Sequence, residues 1–148
     1  MADKPASAER PAPPPLDAYP LRAMDTLRYA DTDRQGHVNN AAFATFCESG
    51  RVAFLYSPEK PLLPAGAAFV IARLVIDFRA EINWPGQVEI GTGVASIGRS
   101  SFVLAQGLFQ NGTCVATAEN VIVLMDEATR RSRPLTDEIL RALEDYRR

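Results

Sequence analysis

Histidine is almost absent from this chain: His37 is the only one in 148 residues. A serine or cysteine hydrolase built on a histidine base would have to use it, and there is no Gly-x-Ser-x-Gly elbow to supply a matching nucleophile. One histidine, with no His-Glu-x-x-His spacing, also argues against a catalytic zinc, so no metal ligands are assigned. Cysteine is nearly as scarce. Cys47 and Cys114 form neither a disulfide framework nor a metal-type spacing, which suits a reducing compartment. Charge of one sign is not in excess either: 16 Lys and Arg stand against 18 Asp and Glu, a net charge of -2, which is not the footprint of a nucleic-acid binder. Long apolar runs are missing. The opening MADKPASAERPAPPPLDAYP has no signal-peptide core, and no later run is long enough to cross a bilayer, so the expected setting is the cytoplasm.

What is present is the composition of one globular domain, 47% hydrophobic and 23% charged. Residues 1–18, rich in Pro and Ala, read as a flexible tail, and residues 19–148 as the folded domain. LRAMDTLRY (21–29) alternates as a strand, interrupted by Asp25. NAAFATFCESGRVAFLY (40–56) sets Phe43, Phe46, Cys47, Gly50 and Phe54 at helical spacing, with Asn39 or Asn40 as N-cap. Gly50 in mid-helix costs about 1 kcal/mol relative to Ala unless a sheet must approach there. AFVIARLVIDFRAEI (68–82) alternates through Val70, Ala72, Leu74, Ile76 and Phe78, and Trp84-Pro85-Gly86 then turns the chain. Three further strands follow, the last two joined at Asn111-Gly112, a type I′ hairpin signal. LTDEILRALEDY (135–146) reads as a short closing helix. One long helix against about five antiparallel strands is a two-layer α+β arrangement.

The densest polar chemistry is RYADTDRQGHVNNAAF, residues 28–43, at the junction of the first strand with the long helix. The pattern Tyr-x-Asp-Thr-Asp-x-x-Gly-His-Val-Asn-Asn and the element order over residues 20–147 resemble the hotdog-fold acyl-CoA thioesterases of the 4-hydroxybenzoyl-CoA thioesterase group. The resemblance implies a sheet of about five strands wrapped around one long helix. It also implies hydrolysis of an acyl-CoA substrate with no separate cofactor, coenzyme A being part of that substrate, and a homodimer or homotetramer. The same fold hosts dehydratases and non-catalytic acyl-CoA binders, so both remain alternatives. Phe43 stands where many such proteins carry Tyr, and FCESGR departs from their usual run around Glu48.

Thioester hydrolysis needs a base or nucleophile beside the carbonyl and donors for the oxyanion. The resemblance carries the catalytic carboxylate onto Asp33. The unpaired N–H groups of the first helical turn, around Asn39 and Asn40, present the positive end of the helix dipole to the same loop. Gly36 permits a tight bend that admits substrate close to the backbone, and Val38 belongs to the same substrate-facing run. His37 reads either as a site-lining residue or as a loop support. Asp31, two residues from Asp33, points the same way if the segment is extended and is assigned to loop support. Glu48, with Arg51 three residues on, is either a second polar group of the site or half of a surface ion pair. Arg99, Ser100 and Ser101, in the turn Gly98–Ser101, offer a guanidinium, two hydroxyls and backbone N–H groups to phosphates or to the pantetheine entrance. An ordinary β-turn is the alternative. The cysteines read as core and strand residues with no activated thiol.

Overall fold

The computed structural model describes residues 10–148. Five strands, β1 (Leu21–Thr26), β2 (Ala67–Phe78), β3 (Gln87–Ile97), β4 (Ser101–Gln110) and β5 (Thr113–Asp126), form one antiparallel sheet in the order β1-β3-β4-β5-β2. The long helix α1 (Asn40–Leu55) packs over β1, β3 and β4, and the short helix α2 (Asp137–Asp145) closes one end. This is the hotdog arrangement that the motif implies.

Local chemistry accounts for the elements. Asn39 caps α1, its side-chain oxygen accepting from the Ala41 N–H at 3.0 Å, and Thr136 caps α2 by accepting from the Ile139 N–H at 3.2 Å. Asn111 and Gly112 both take positive φ, 49° and 80°, as the β4–β5 hairpin requires. Gly50 explains itself at the helix–sheet contact. A Cβ there would stand 2.6 Å from Gln106 Nε2, 2.7 Å from Ile90 Cγ2 and 2.9 Å from Thr92 Oγ1, so only glycine lets α1 lie this close.

Two expectations change in the structure. The first strand ends at Thr26 rather than Tyr29, because Tyr29–Asp31 winds into a 3₁₀ turn stitched by Arg28 and Asp31. The strand expected over 68–82 is β2, which stops at Phe78, and its alternation does not hold one phase. The pairing with β5 slips between Ile71 and Arg73. Before this bulge Phe69 packs on Phe102, and after it Leu74 and Ile76 pack inward, so Val70 does not share a face with Leu74.

The core is divided. Arg51, Asn120, Gln106 and Thr92, all buried, join across β5, β4 and β3 beneath Gly50. Arg51 Nη1 donates to Asn120 Oδ1 at 2.6 Å, Asn120 Nδ2 to Gln106 Oε1 at 2.8 Å, and Gln106 Nε2 to both Thr92 Oγ1 and the Cys47 carbonyl at 3.0 Å. On one side lie Phe54, Leu104, Ile122 and Leu143, and on the other Phe43, Phe46, Ile90 and Leu108. The amide and hydroxyl atoms named in this ladder are all partnered, as burial requires, whereas Arg51 bonds through Nη1 alone among the described residues.

On the outer face of the sheet, Gly91 and Gly107 are register partners and form a notch filled by Tyr19. The tail reading spans residues 1–18; residues 1–9 lie outside the described residues. Residues 10–18 run along the sheet, with Arg10 Nη1 donating to the Phe78 carbonyl at 2.9 Å and Arg79 Nη2 to the Pro11 carbonyl at 3.0 Å.

Candidate active site

The loop between the 3₁₀ turn and α1 is shaped by its own hydrogen bonds. Thr32 and Val38 form an antiparallel bridge, the Asp33 N–H donates to the His37 carbonyl at 2.9 Å, and the Gly36 N–H returns to the Asp33 carbonyl at 3.0 Å. Gly36, with φ 85°, makes the bend. Asp33 Oδ1 accepts from the Gln35 N–H at 2.9 Å, which orients the carboxylate and leaves Oδ2 without a partner among the described residues. Val38, buried in the core, donates its N–H to the Ile82 carbonyl at 2.9 Å and ties the loop to the segment after β2.

That segment supplies the facing wall. His37 Nδ1 lies 3.2 Å from Asn83 Oδ1 and Nε2 lies 3.3 Å from Glu81 Oε2. Both partners are acceptors, so either ring nitrogen has a place for its proton. Asn83 is itself fixed, its N–H donating to Gln110 Oε1 at 3.0 Å and its carbonyl accepting from Gln110 Nε2 at 2.7 Å. Asp33, His37, Val38 and Asn40 thereby line one cleft of about 730 Å³ with Phe43, Phe78, Arg79 and Glu81. Its floor is apolar, Phe43 and Phe78 meeting edge to face at 5.0 Å. The Asn40 N–H, first of the helix, has no partner among the described residues and stands at the positive end of α1. A carboxylate and one free amide donor over an apolar floor can place a nucleophile and an oxyanion contact at one acyl carbonyl.

The other expected residues sit elsewhere. Gly36 shapes the bend without lining the cleft, and Asn39 spends its side chain on the cap and borders a separate cleft with Asp31. Because the chain turns at 29–31, Asp31 and Asp33 do not point the same way. Asp31 accepts from Arg28, through Nη2 at 2.8 Å and the backbone N–H at 2.8 Å, and the guanidinium holds its carboxyl below the usual range. Glu48 is exposed on a third cleft and makes no ion pair with Arg51, which turns inward to Asn120. Arg99, Ser100 and Ser101 occupy the tight turn at the start of β4, whose other end, Gln110, holds Asn83. At ~3.4 Å per residue they lie roughly 30 Å from the cleft within one chain. Burial pushes the Cys47 thiol up to about 11, so it is protonated and inert at neutral pH.

Sequence reasoning missed the wall, Phe78, Arg79 and Glu81, and Asn83, which holds His37. The only signal was the crowding of Arg79, Glu81 and Asn83 just before Trp84-Pro85, masked by a strand alternation that runs on through Ile82 in the sequence. Among the described residues no group of three or more His, Cys, Asp or Glu side chains could hold a metal ion, and no helix is long and apolar enough to cross a membrane.

The Thioesterase-like superfamily matches residues 27–143 of the chain. The acyl-CoA thioester hydrolase YbgC of Escherichia coli is 27% identical over 129 residues, covering 84% of this chain and 93% of that protein. Among solved structures, a predicted thioesterase from Bacillus stearothermophilus matches with a TM-score of 0.78 at 28% identity, over 86% of this chain and 96% of that one. A thioesterase from Thermus thermophilus, complexed with coenzyme A and zinc, matches with a TM-score of 0.75 at 27% identity, over 86% of this chain and 94% of that one.

Proposed function

The chain belongs to the thioesterase-like superfamily, and from that membership we propose that it hydrolyses acyl-CoA thioesters to the free acid and coenzyme A. The observation that carries the reading is the convergence of Asp33 and the free N-terminus of α1 on one cleft. The acyl carbonyl sits against the Asn40 N–H, which withdraws charge from it. Asp33 either takes a proton from water as the water oxygen bonds to the carbonyl carbon, or bonds to that carbon itself. The C–S bond then breaks: in the first case the proton held by Asp33 passes to the thiolate, and in the second water hydrolyses the acyl–Asp33 anhydride, releasing the free acid and a proton for the thiolate, so coenzyme A leaves as the thiol. His37, set between Asn83 and Glu81, positions the loop and borders the thioester. Gly36, Val38 and Asn39 give the loop its bend, its anchor and the helix its cap.

The protein works as a pair in this reading. β2 is an edge strand that exposes Val70, Ile71 and Phe78 at 36%, 42% and 44%, a combination that invites strand pairing. A twofold axis pairing β2 antiparallel with its copy reverses the sheet end for end. The partner's Arg99, Ser100 and Ser101 then come to the end of the double sheet where this chain's Asp33 loop lies, suited to the phosphates of coenzyme A.

The test is thiol release from a panel of acyl-CoA esters by wild type and Asp33→Asn. The amide keeps the shape of the side chain but neither accepts the proton nor attacks. General-base contributions of about 10²- to 10⁴-fold predict that turnover falls at least about a hundredfold. The unfolding free energy should move by no more than about 1 kcal/mol, the side chain being partly exposed. Retention of more than a third of the wild-type rate removes Asp33 from the mechanism, and no release from any ester by wild type favours acyl-CoA binding without hydrolysis.

A further inference from the structure

Helix α1 packs mainly over β1, β3 and β4, and two clefts open along its seam with the edge strand β2. The first is the cleft at Asp33, lined by Asn40, Phe43 and Phe78, the two rings meeting across the seam at 5.0 Å. The second, of about 380 Å³, runs from one to three helical turns along the same face, between Ala44, Glu48 and Arg51 on α1 and Ile71, Arg73 and Leu74 on β2. Asn40 and Arg51 are eleven residues apart, about 16 Å along the helix axis.

Arg51 is unusual in that cleft. It is 9% exposed, yet no carboxylate pairs with it among the described residues. Its one hydrogen bond, from Nη1 to Asn120 Oδ1 at 2.6 Å, goes to a neutral amide. Asn120 is held in turn by Gln106, and Gln106 by Thr92 and the Cys47 carbonyl, so the guanidinium is fixed from behind with its remaining N–H groups toward the cleft. A neutral donor such as glutamine would satisfy Asn120 without taking a charge out of water. Burial holds the guanidinium below its usual range, which is the cost of a cation without a counter-ion. Arg73 adds a second positive charge across the cleft, and Glu48, the one acid lining it, is exposed at its rim.

We propose that the two clefts together take one acyl group whose far end carries a carboxylate, and that Arg51 selects it. The thioester lies at Asp33 and Asn40, the acyl chain follows α1 past Phe43 and Ala44, and the terminal carboxylate meets the free N–H groups of Arg51. The fork of the guanidinium suits two carboxylate oxygens, and the Asn120–Gln106–Thr92 ladder holds it in place before the ligand arrives. The inference rests on the thioesterase reading for the placement of the thioester.

The test compares length-matched esters on the full chain: adipoyl- with hexanoyl-CoA, suberoyl- with octanoyl-CoA and sebacoyl- with decanoyl-CoA. A charge-assisted hydrogen bond predicts that wild type favours the dicarboxylic member of at least one pair by roughly tenfold or more in kcat/KM. Arg51→Gln should bring that ratio to about one, an outcome that loosened packing alone does not produce because it affects both members. A wild-type ratio of one or less in every pair, with hydrolysis intact, overturns the inference and leaves the thioesterase reading standing. So does a ratio that survives Arg51→Gln. If that variant does not fold, Arg51→Lys, which keeps the charge but not the fork, should lower the ratio, and an unchanged ratio overturns the inference. If no ester is hydrolysed, the thioesterase reading fails, and thermal shifts with free adipate and hexanoate decide the remainder. Stabilisation by adipate alone, lost with Arg51→Gln or, where that does not fold, with Arg51→Lys, supports the carboxylate site, and equal shifts dismiss it.

Discussion

Asp31 and Asp33 are two residues apart and do different work, a division set by the 3₁₀ turn that ends between them. Asp33 faces the cleft with one oxygen unpartnered, whereas Asp31 spends both oxygens on Arg28 and gives its carbonyl to the Asn39 N–H at 2.7 Å, fixing the approach to the α1 cap. The pairing with Arg28 lowers the folded-state pKa of Asp31, so the stability it contributes is present above the ordinary carboxylate value of about 3.9 and is lost as pH falls through the lowered value. Melting temperatures of wild type and Asp31→Asn should therefore differ at neutral pH and converge in acid, as pH falls through the lowered value. A gap that persists unchanged into acid would mean that the carboxylate charge is not what Asp31 contributes. Thiol release by Asp31→Asn should fall less than by Asp33→Asn.

Helix α1 shows most clearly what a glycine does when packing decides. Alanine at position 50 would gain about 1 kcal/mol of helix propensity, but its Cβ would stand within 2.9 Å of Gln106, Ile90 and Thr92, in the middle of the polar ladder. Overpacking costs typically about 1–3 kcal/mol, and Gln106 would also have to leave the Cys47 carbonyl. Gly50→Ala should lose about 2 kcal/mol net in urea denaturation, and a gain would show that the helix can lift off the sheet at no cost. The helix was legible in the sequence because its apolar spacing, its Asn39 cap and the need for close approach at Gly50 are local or periodic signals. The hairpin at Asn111-Gly112 was legible for the same reason. The existence of β2 was legible too, but the facing of its side chains was not, because a one-residue bulge reverses which of them face inward and leaves no mark in an alternating string. The site divides likewise. The loop from Asp33 to Asn40 is contiguous and could be read, whereas its wall at Arg79 and Glu81, and Asn83 against His37, reach it only through the sheet.

At the scale of the whole molecule, the exposed edge of β2 leads to an expected assembly. Light scattering of active protein at micromolar concentration should report at least twice the 16.2 kDa of one chain, and an active species of single-chain mass would exclude pairing at that edge. The ladder of Arg51, Asn120, Gln106 and Thr92 bears on the molecule in another way. Each of β3, β4 and β5 passes from one apolar cluster to the other through a polar rung, so the two ends of the sheet share strands but not a continuous apolar interior. Such a boundary lets one half breathe while the other stays closed. In native-state hydrogen exchange, the amides of Ile90, Leu108 and Ala116, at the end that carries the cleft, should exchange through a lower-energy opening than those of Val94, Leu104 and Ile122, packed toward α2. The protein would then recognise its substrate with its looser half and keep its fold with the tighter one.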